Sequence, residues 1–182
     1  MPLSEKHICT IDDIYDLPDG VRGELINGKM YMMAPPGRIH QEISQYLSMM
    51  IGSYIMQHHG TCKIYPAPFA VFLNKDDFTY VEPDISVICD HDKLNDKGCQ
   101  GAPDWVIEIV SPSSKTMDYY RKLALYQSAG VREYWIVDPM KEIILVYNME
   151  YGDAPVIYFF QNTISSFVIP GLDIDFSQLT LK

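Results

Sequence analysis

Trp105-Val106-Ile107-Glu108-Ile109-Val110 is an apolar run with one carboxylate inside it, closed by Ser111-Pro112-Ser113-Ser114. A run of this kind reads as a central strand covered on both faces. An acid placed there is costly unless a cation, a proton or a metal ion meets it. Downstream, a helical pattern over roughly 116–128 stops at Gly130, a favourable residue just past a helix end, and the apolar stretch 131–137 follows, ending at Asp138-Pro139. Strand, helix and strand over 105–137 predict a right-handed crossover with parallel strands. Upstream, Asp84 opens a second apolar segment, Asp84-Ile85-Ser86-Val87-Ile88. That segment is expected beside the Glu108 strand, which brings the two acids together.

Further out, Thr10 and Asp13 mark a short helix that ends at Pro18-Asp19-Gly20. Asn27-Gly28 separates Glu24-Leu25-Ile26 from Lys29-Met30-Tyr31-Met32-Met33, and both turn positions accept positive φ, so a tight β-hairpin is expected. After Ala34-Pro35-Pro36-Gly37, residues Ile39, Ile43, Tyr46, Leu47, Met50, Ile51, Tyr54 and Ile55 recur at spacings of three and four, predicting a long amphipathic helix that ends near Gly60. Strands are expected at 62–65, 68–73, 84–89 and 105–110, with antiparallel additions at 143–147, 156–161 and 167–169. The predicted fold class is α/β with a mixed α+β sheet, flanked by helices, in one domain over 1–182.

The composition is that of an ordinary globular protein: 47% of the 182 residues are hydrophobic and 21% charged. Apolar stretches are interrupted every few residues and the N-terminus has no leader pattern, so a soluble cytoplasmic protein with no membrane partner is expected. Cys9, Cys62, Cys89 and Cys99 are scattered without a C-x-x-C pair, and reduced thiols are expected. The formal net charge of −10 argues against casual nucleic-acid binding. A bound divalent ion reverses the local sign in an acidic cleft, so the objection is partial.

Two acids and a lysine suggest a metal-dependent phosphodiester site. Hydrolysis of a phosphodiester needs charge neutralisation on the phosphoryl oxygens and an activated water, and a carboxylate-bound Mg²⁺ or Mn²⁺ supplies both. Asp84 and Glu108 are ligands of the right kind. Lys122, at the border of the helical arc formed by Tyr119, Leu123 and Tyr126, is placed to reach the sheet and to hold or deprotonate the attacking water. The bland alternative for Lys122 is a packed stem with its ammonium in water. His40, in the first turn of the long helix, is a candidate for contact with substrate phosphate or a coordinated water, against the alternative of a half-buried histidine. Glu42 is a weaker candidate, since the helix dipole alone favours an acid there.

Gly23-Glu24-Leu25-Ile26-Asn27-Gly28, Glu82-Pro83-Asp84-Ile85-Ser86-Val87, Val106-Ile107-Glu108-Ile109-Val110-Ser111-Pro112-Ser113, and Lys122 through Tyr126 to Gly130-Val131-Arg132-Glu133-Tyr134-Trp135-Ile136-Val137-Asp138-Pro139 together resemble the Uma2 family of restriction endonucleases over nearly the whole chain. The resemblance implies a restriction-endonuclease-like PD-(D/E)XK core. It implies Asp84 and Glu108 as metal ligands, Lys122 as the catalytic lysine, and DNA as substrate. In the wider superfamily the lysine lies two residues after the strand acid. Here Val110 holds that position, and the resemblance implies that the lysine function has moved to the helix. It also makes Glu24 a third carboxylate for the metal shell, against the alternative of an exposed hairpin acid.

Other constellations are weaker. Cys89, His91 and Cys99 lack the paired spacing of zinc sites, and Ser111 and Ser113 lack a nucleophile-elbow pattern and read as caps of the Lys122 helix. The surplus of Tyr and Met suits a subunit interface, so a homodimer is expected. Two rival functions stand beside the nuclease. One is a catalytically inert binding or assembly module in which Lys122 merely neutralises Glu108. The other is a two-carboxylate hydrolase of a small substrate such as a glycoside.

Overall fold

A computed structural model describes residues 8–112, 114–152 and 154–181. In chain order the main elements are α1 (Ile11–Tyr15), β1 (Arg22–Ile26), β2 (Lys29–Met33), α2 (Arg38–Gln57), β3 (Lys63–Pro66), β4 (Val71–Phe72) and β5 (Ile85–Ile88). There follow β6 (Leu94–Asn95), β7 (Gly98–Gln100) and β8 (Trp105–Ile109), then a π-helical stretch (Met117–Lys122) that runs into α3 (Leu123–Ala129). The chain continues with β9 (Glu133–Asp138), β10 (Ile143–Asn148), β11 (Val156–Phe159), β12 (Thr163–Ser165) and β13 (Asp173–Asp175).

The apolar strands assemble into a six-stranded mixed sheet of order β11-β10-β9-β8-β5-β3. The predicted crossover is present, because β8 and β9 pair in parallel with Glu108 opposite Ile136. Its helix ends at Gly130, whose φ of 90° is the left-handed conformation that a Cβ disfavours. The neighbouring β5 pairs antiparallel to β8, with Ile85 opposite Ile107. Asn27 and Gly28 take φ of 49° and 74°, as the tight turn between β1 and β2 requires.

Strand alternation divides the core into two layers. Trp105, Ile107 and Ile109 face Ile43, Leu47, Ile51 and Ile55 of α2, which are spaced four apart along one buried stripe. Val106 and Val110 face the other way, against Leu125 and Tyr126 of α3. Glu108 shares that second face and therefore projects toward the helix that carries Lys122.

Several expectations are corrected. The segment 167–169 is not a strand, because the backbone N–H groups of Phe167 and Val168 donate to the buried Glu133 carboxylate at 3.0 and 2.8 Å instead of to a ladder. The strands after β11 are β12 and β13, which pair with each other. The strand expected over 68–73 shrinks to β4, paired in parallel with β7. The short β6 and β7 carry too few alternating residues to be read as strands. Cys62 and Cys89 are disulfide-bonded rather than reduced. They occupy the position next to the Lys63–Ile88 pair of the β3–β5 ladder, where cross-strand side chains meet. Cys9 and Cys99 are free thiols. Of the two serines expected as caps, Ser111 accepts the Ser114 N–H on its Oγ at 3.2 Å. Ser114 Oγ donates to Asp118 Oδ2 at 2.5 Å, Ser111 bonds Ser114, and Ser113 lies outside the described residues.

Among the described residues, no helix is long and apolar enough to cross a membrane.

Candidate active site

Four segments distant in sequence converge at the end of β8. Glu24 comes from β1, Asp84 from the residue before β5, Glu108 from β8, and Lys122 from the last residue of the π-helical stretch. The ladder pair Ile85–Ile107 continues one step to Asp84 and Glu108, which sets the two acids opposite each other. Asp84 is tied down by two contacts. The Ile109 N–H donates to its Oδ2 at 2.7 Å, and His40 Nε2 lies 3.0 Å from the same oxygen. His40 stands in the first turn of α2, and its Nδ1 is buried with no hydrogen-bond partner among the described residues.

Lys122 is 4% exposed, so its ammonium does not escape to solvent. Nζ donates to Glu108 Oε1 and to Glu24 Oε1, each at 2.9 Å. Lys122 thus reaches the sheet as its place on the helical arc led us to expect, the alternative of an ammonium in water is removed, and Arg121 is left outside. The reason lies in the local helix. A π-helical turn is wider than an α-turn, and Asp118 and Lys122 both point inward from it. Glu24 is likewise no exposed hairpin acid. It is buried, and besides Lys122 it accepts the Glu82 N–H at 3.0 Å. Glu82 in turn pairs with Arg22 through Nε at 2.7 Å, so β1 holds the segment leading to Asp84 at two points.

Sequence reasoning missed two buried partners. Tyr126 OH donates to Glu108 Oε1 at 2.6 Å. Asp118, 2% exposed, adds a fourth carboxylate, and its backbone carbonyl accepts from Tyr134 OH at 3.0 Å. The available signal was a polar ladder of spacing four, Ser114, Asp118, Lys122 and Tyr126, on one helical face. Glu42 stays outside the cluster and pairs with Arg38 at 2.6 Å across one helical turn.

The electrostatics follow from burial and from this excess of acids. Burial pushes the Glu108 carboxyl well above the usual carboxylate range; Lys122 opposes the rise, while the charges of Asp84, Asp118 and Glu24 add to it. Burial raises Asp118 to about 6, opposed by Lys122 and by the Ser114 hydrogen bond. Burial alone would lower Lys122, but Glu108, Glu24 and Asp118 outweigh it and hold the ammonium well above the ordinary lysine range. Glu24, Glu108 and Asp118 thus share one buried cation, and this excess of acid, with Asp84 acting on Glu108, favours the protonated form of Glu108 and of Asp118.

Among the described residues, no three His, Cys, Asp or Glu side chains already stand grouped as a metal cage. The donor set nonetheless suits a hard divalent ion. Among the described residues nothing donates to Asp84 Oδ1, Glu108 Oε2 or Glu24 Oε2, and an ion of the Mg²⁺ type needs only one or two carboxylates.

Known proteins share the fold and the family pattern of this chain. The crystal structure of a protein from Anabaena variabilis, described as "a putative nuclease belonging to DUF820", superposes with a TM-score of 0.75 at 20% identity, covering 93% of this chain and 96% of that one. The likeness establishes that the two proteins share the mixed-sheet fold. A protein of Synechocystis, "Uncharacterized protein slr1290", is 28% identical over 133 residues, which are 71% of this chain and 68% of that protein. The model of the Uma2 family, described as "Putative restriction endonuclease", matches residues 11–177 and so takes in Glu24, His40, Asp84, Glu108, Asp118 and Lys122. The chain belongs to the Uma2 family.

Proposed function

We propose that the chain is a Mg²⁺-dependent or Mn²⁺-dependent endonuclease that hydrolyses phosphodiester bonds in DNA. The observation that carries this reading is the buried Glu108, paired with a single buried lysine that also serves Glu24, and raised by the charges of Asp84, Asp118 and Glu24. Such an excess of acid is costly to bury and is offset when a divalent cation joins the cluster. Asp84 and Glu108 would hold the ion, with Glu24 as a third oxygen ligand. The ion supplies neutralisation of the phosphoryl oxygens and activation of a water near neutral pH.

The chain's own groups divide the remaining work. Ile109 N–H and His40 orient Asp84, while Tyr126 and Lys122 both hold Oε1 of Glu108 and so set the direction of its other oxygen. Glu108, Glu24 and Asp118 favour the charged form of Lys122, which suits it as a donor rather than a base. Two of its N–H groups are used by Glu24 and Glu108, and the third is a donor for an incoming water or phosphoryl oxygen. His40 also remains the candidate for a contact to substrate phosphate. Purified protein with Mn²⁺ is expected to nick supercoiled plasmid, and Glu108→Gln is expected to abolish nicking with the fold retained. Undiminished nicking by that variant removes Glu108 from the mechanism.

One observation favours the inert alternative: Lys122 already neutralises two of the acids without any ligand. Calorimetric titration separates the readings. The nuclease reading expects heat of Mn²⁺ binding that disappears in Asp84→Asn, and the inert reading expects no heat in either protein.

The same reading takes the chain as one domain acting on DNA in the cytoplasm as a homodimer. Val156, Ile157 and Phe159 are exposed on β11, an edge strand of the sheet, and support a self-association surface. Sedimentation at rising concentration is the check, and a species that stays monomeric removes the dimer. The Cys62–Cys89 bond opposes a reducing compartment. A thiol count on protein trapped directly from cells decides whether it persists there.

A further inference from the structure

A nuclease built from buried acids in a chain of net charge −10 needs a cationic surface to bring a polyanion to it. The structure holds two exposed cations that share one aromatic ring. Lys29 Nζ lies 5.2 Å from the centroid of the Tyr31 ring, and Arg121 Cζ lies 5.5 Å from it. Arg121 also donates a hydrogen bond to the Tyr31 hydroxyl. Two positive charges on one ring repel each other, and among the described residues neither Lys29 nor Arg121 has a carboxylate within ion-pair distance. Elsewhere the chain pairs its arginines with acids, as in Arg22–Glu82, Arg38–Glu42 and Arg132–Glu150.

The position of this group ties it to the acid cluster. Tyr31 is the direct cross-strand partner of Glu24, so the two side chains project on the same face of the hairpin. Glu24 accepts from Lys122, and Arg121 is the residue immediately before it, turned outward where Lys122 turns inward. The aromatic ring therefore stands one residue pair from a buried acid of the cluster, with its two cations on the solvent side. A guanidinium presents a planar fork that matches two phosphate oxygens, and an ammonium acts as a second point of charge.

We propose that Lys29, Tyr31 and Arg121 form a phosphate clamp for the backbone of a nucleic-acid strand, placed to lead that strand to the acid–lysine cluster. This assignment rests on the nuclease reading of that cluster for its purpose, though not for its geometry. Lys29 and Arg121 bind backbone phosphates, and Tyr31 is a positioning residue that fixes the guanidinium.

The experiment is fluorescence anisotropy of the full chain with a short labelled DNA duplex, in Ca²⁺, across a salt series. The double variant Lys29→Gln/Arg121→Gln is expected to bind about tenfold more weakly, with the slope of log affinity against log salt reduced by about 1.8, the value for two lost phosphate contacts. Both residues are exposed, so the melting temperature is expected to stay at the wild-type value. Tyr31→Phe keeps the ring, drops the hydrogen bond to Arg121, and is expected to show a smaller loss. The control is Lys75→Gln/Lys97→Gln, the same charge change in the cleft beside α1 that Asp12, Asp76 and Asp77 also line.

Equal weakening in the control, unchanged binding in the double variant, or no binding by the wild type overturns the clamp. Plasmid nicking with Mn²⁺ in the same panel separates this outcome from the fate of the nuclease reading. Wild type that binds through Lys29 and Arg121 yet does not nick sinks the nuclease and leaves the clamp. A double variant that binds and nicks like wild type sinks only the clamp.

Discussion

Lys122 Nζ lies 2.9 Å from Glu108 Oε1, and the two residues sit on opposite sides of one strand-to-helix connection. The acid is fixed by strand alternation, which turns it toward the helix, and the lysine by a π-helical turn, which rotates it inward. Val110, two residues after the acid on the same face of the strand, packs in the apolar layer instead of supplying a cation. The cation that a buried strand acid requires therefore reaches it through space from the neighbouring layer.

Removal of that cation leaves buried carboxylates uncompensated. Lys122→Met is expected to destabilise the fold by about 3–5 kcal/mol near pH 8. The loss should shrink near pH 5, below the value of about 6 to which burial raises Asp118, because each proton taken up removes part of the uncompensated charge, and Glu108 is raised in the same direction. Urea unfolding at the two pH values measures this, and an equal loss at both would assign the effect to packing alone.

Tyr126 tests the fixing of Glu108 without altering charge. Tyr126→Phe keeps the ring against Tyr134, whose centroid is 5.0 Å away, and removes only the donor to Glu108 Oε1. The expected cost is about 1–3 kcal/mol, that of leaving a buried acceptor short of its donor. A neutral result would mean that Lys122 alone orients the carboxylate.

Much of this arrangement was legible in the chain. The lone acid of the 105–110 run, the glycine after the helix and the Asn27-Gly28 pair are local signals, and each corresponds to a local feature of the fold. So is the alternation that turns Glu108 toward α3. Asp118 was missed although it stands four residues before Lys122 on the same helical face, because an acid in a first helical turn is ordinarily solvated and its burial shows only in three dimensions. Tyr126 read as core filler, since its hydroxyl acquires meaning only once Glu108 is beneath it. The Cys62–Cys89 bond depended on the β3–β5 register, and the loop over 167–169 depended on Glu133 from a strand more than thirty residues away. Neither is encoded in spacing along the chain.

Asp118 gives the fold a pH dependence of definite sign. In the unfolded chain it loses its proton near 3.8, and in the folded protein not until about 6. Between these values the unfolded state binds fewer protons. The stabilising contribution is therefore complete below the lower value and is lost as pH rises through the upper one, by up to about 3 kcal/mol. Glu108 acts in the same direction. Melting temperatures in chelator should fall from pH 4 to pH 7, and Asp118→Asn should flatten the curve. A wild-type curve already flat would show that Asp118 is ionised throughout.

A divalent ion should reverse that slope. Ligation needs deprotonated carboxylates, so Mn²⁺ competes with the proton that the cluster otherwise keeps. Thermal stabilisation by saturating Mn²⁺ is expected to be larger at pH 7.5 than at pH 5.5, because less of the binding energy goes into displacing that proton. Calorimetry in buffers of different ionisation enthalpy should register proton release at the lower pH. Glu108→Gln, which can neither hold the proton nor ligate as an anion, should lose both the stabilisation and the release. Stabilisation of equal size in that variant would place the ion elsewhere on the protein and leave the acid cluster as a structural feature of the fold.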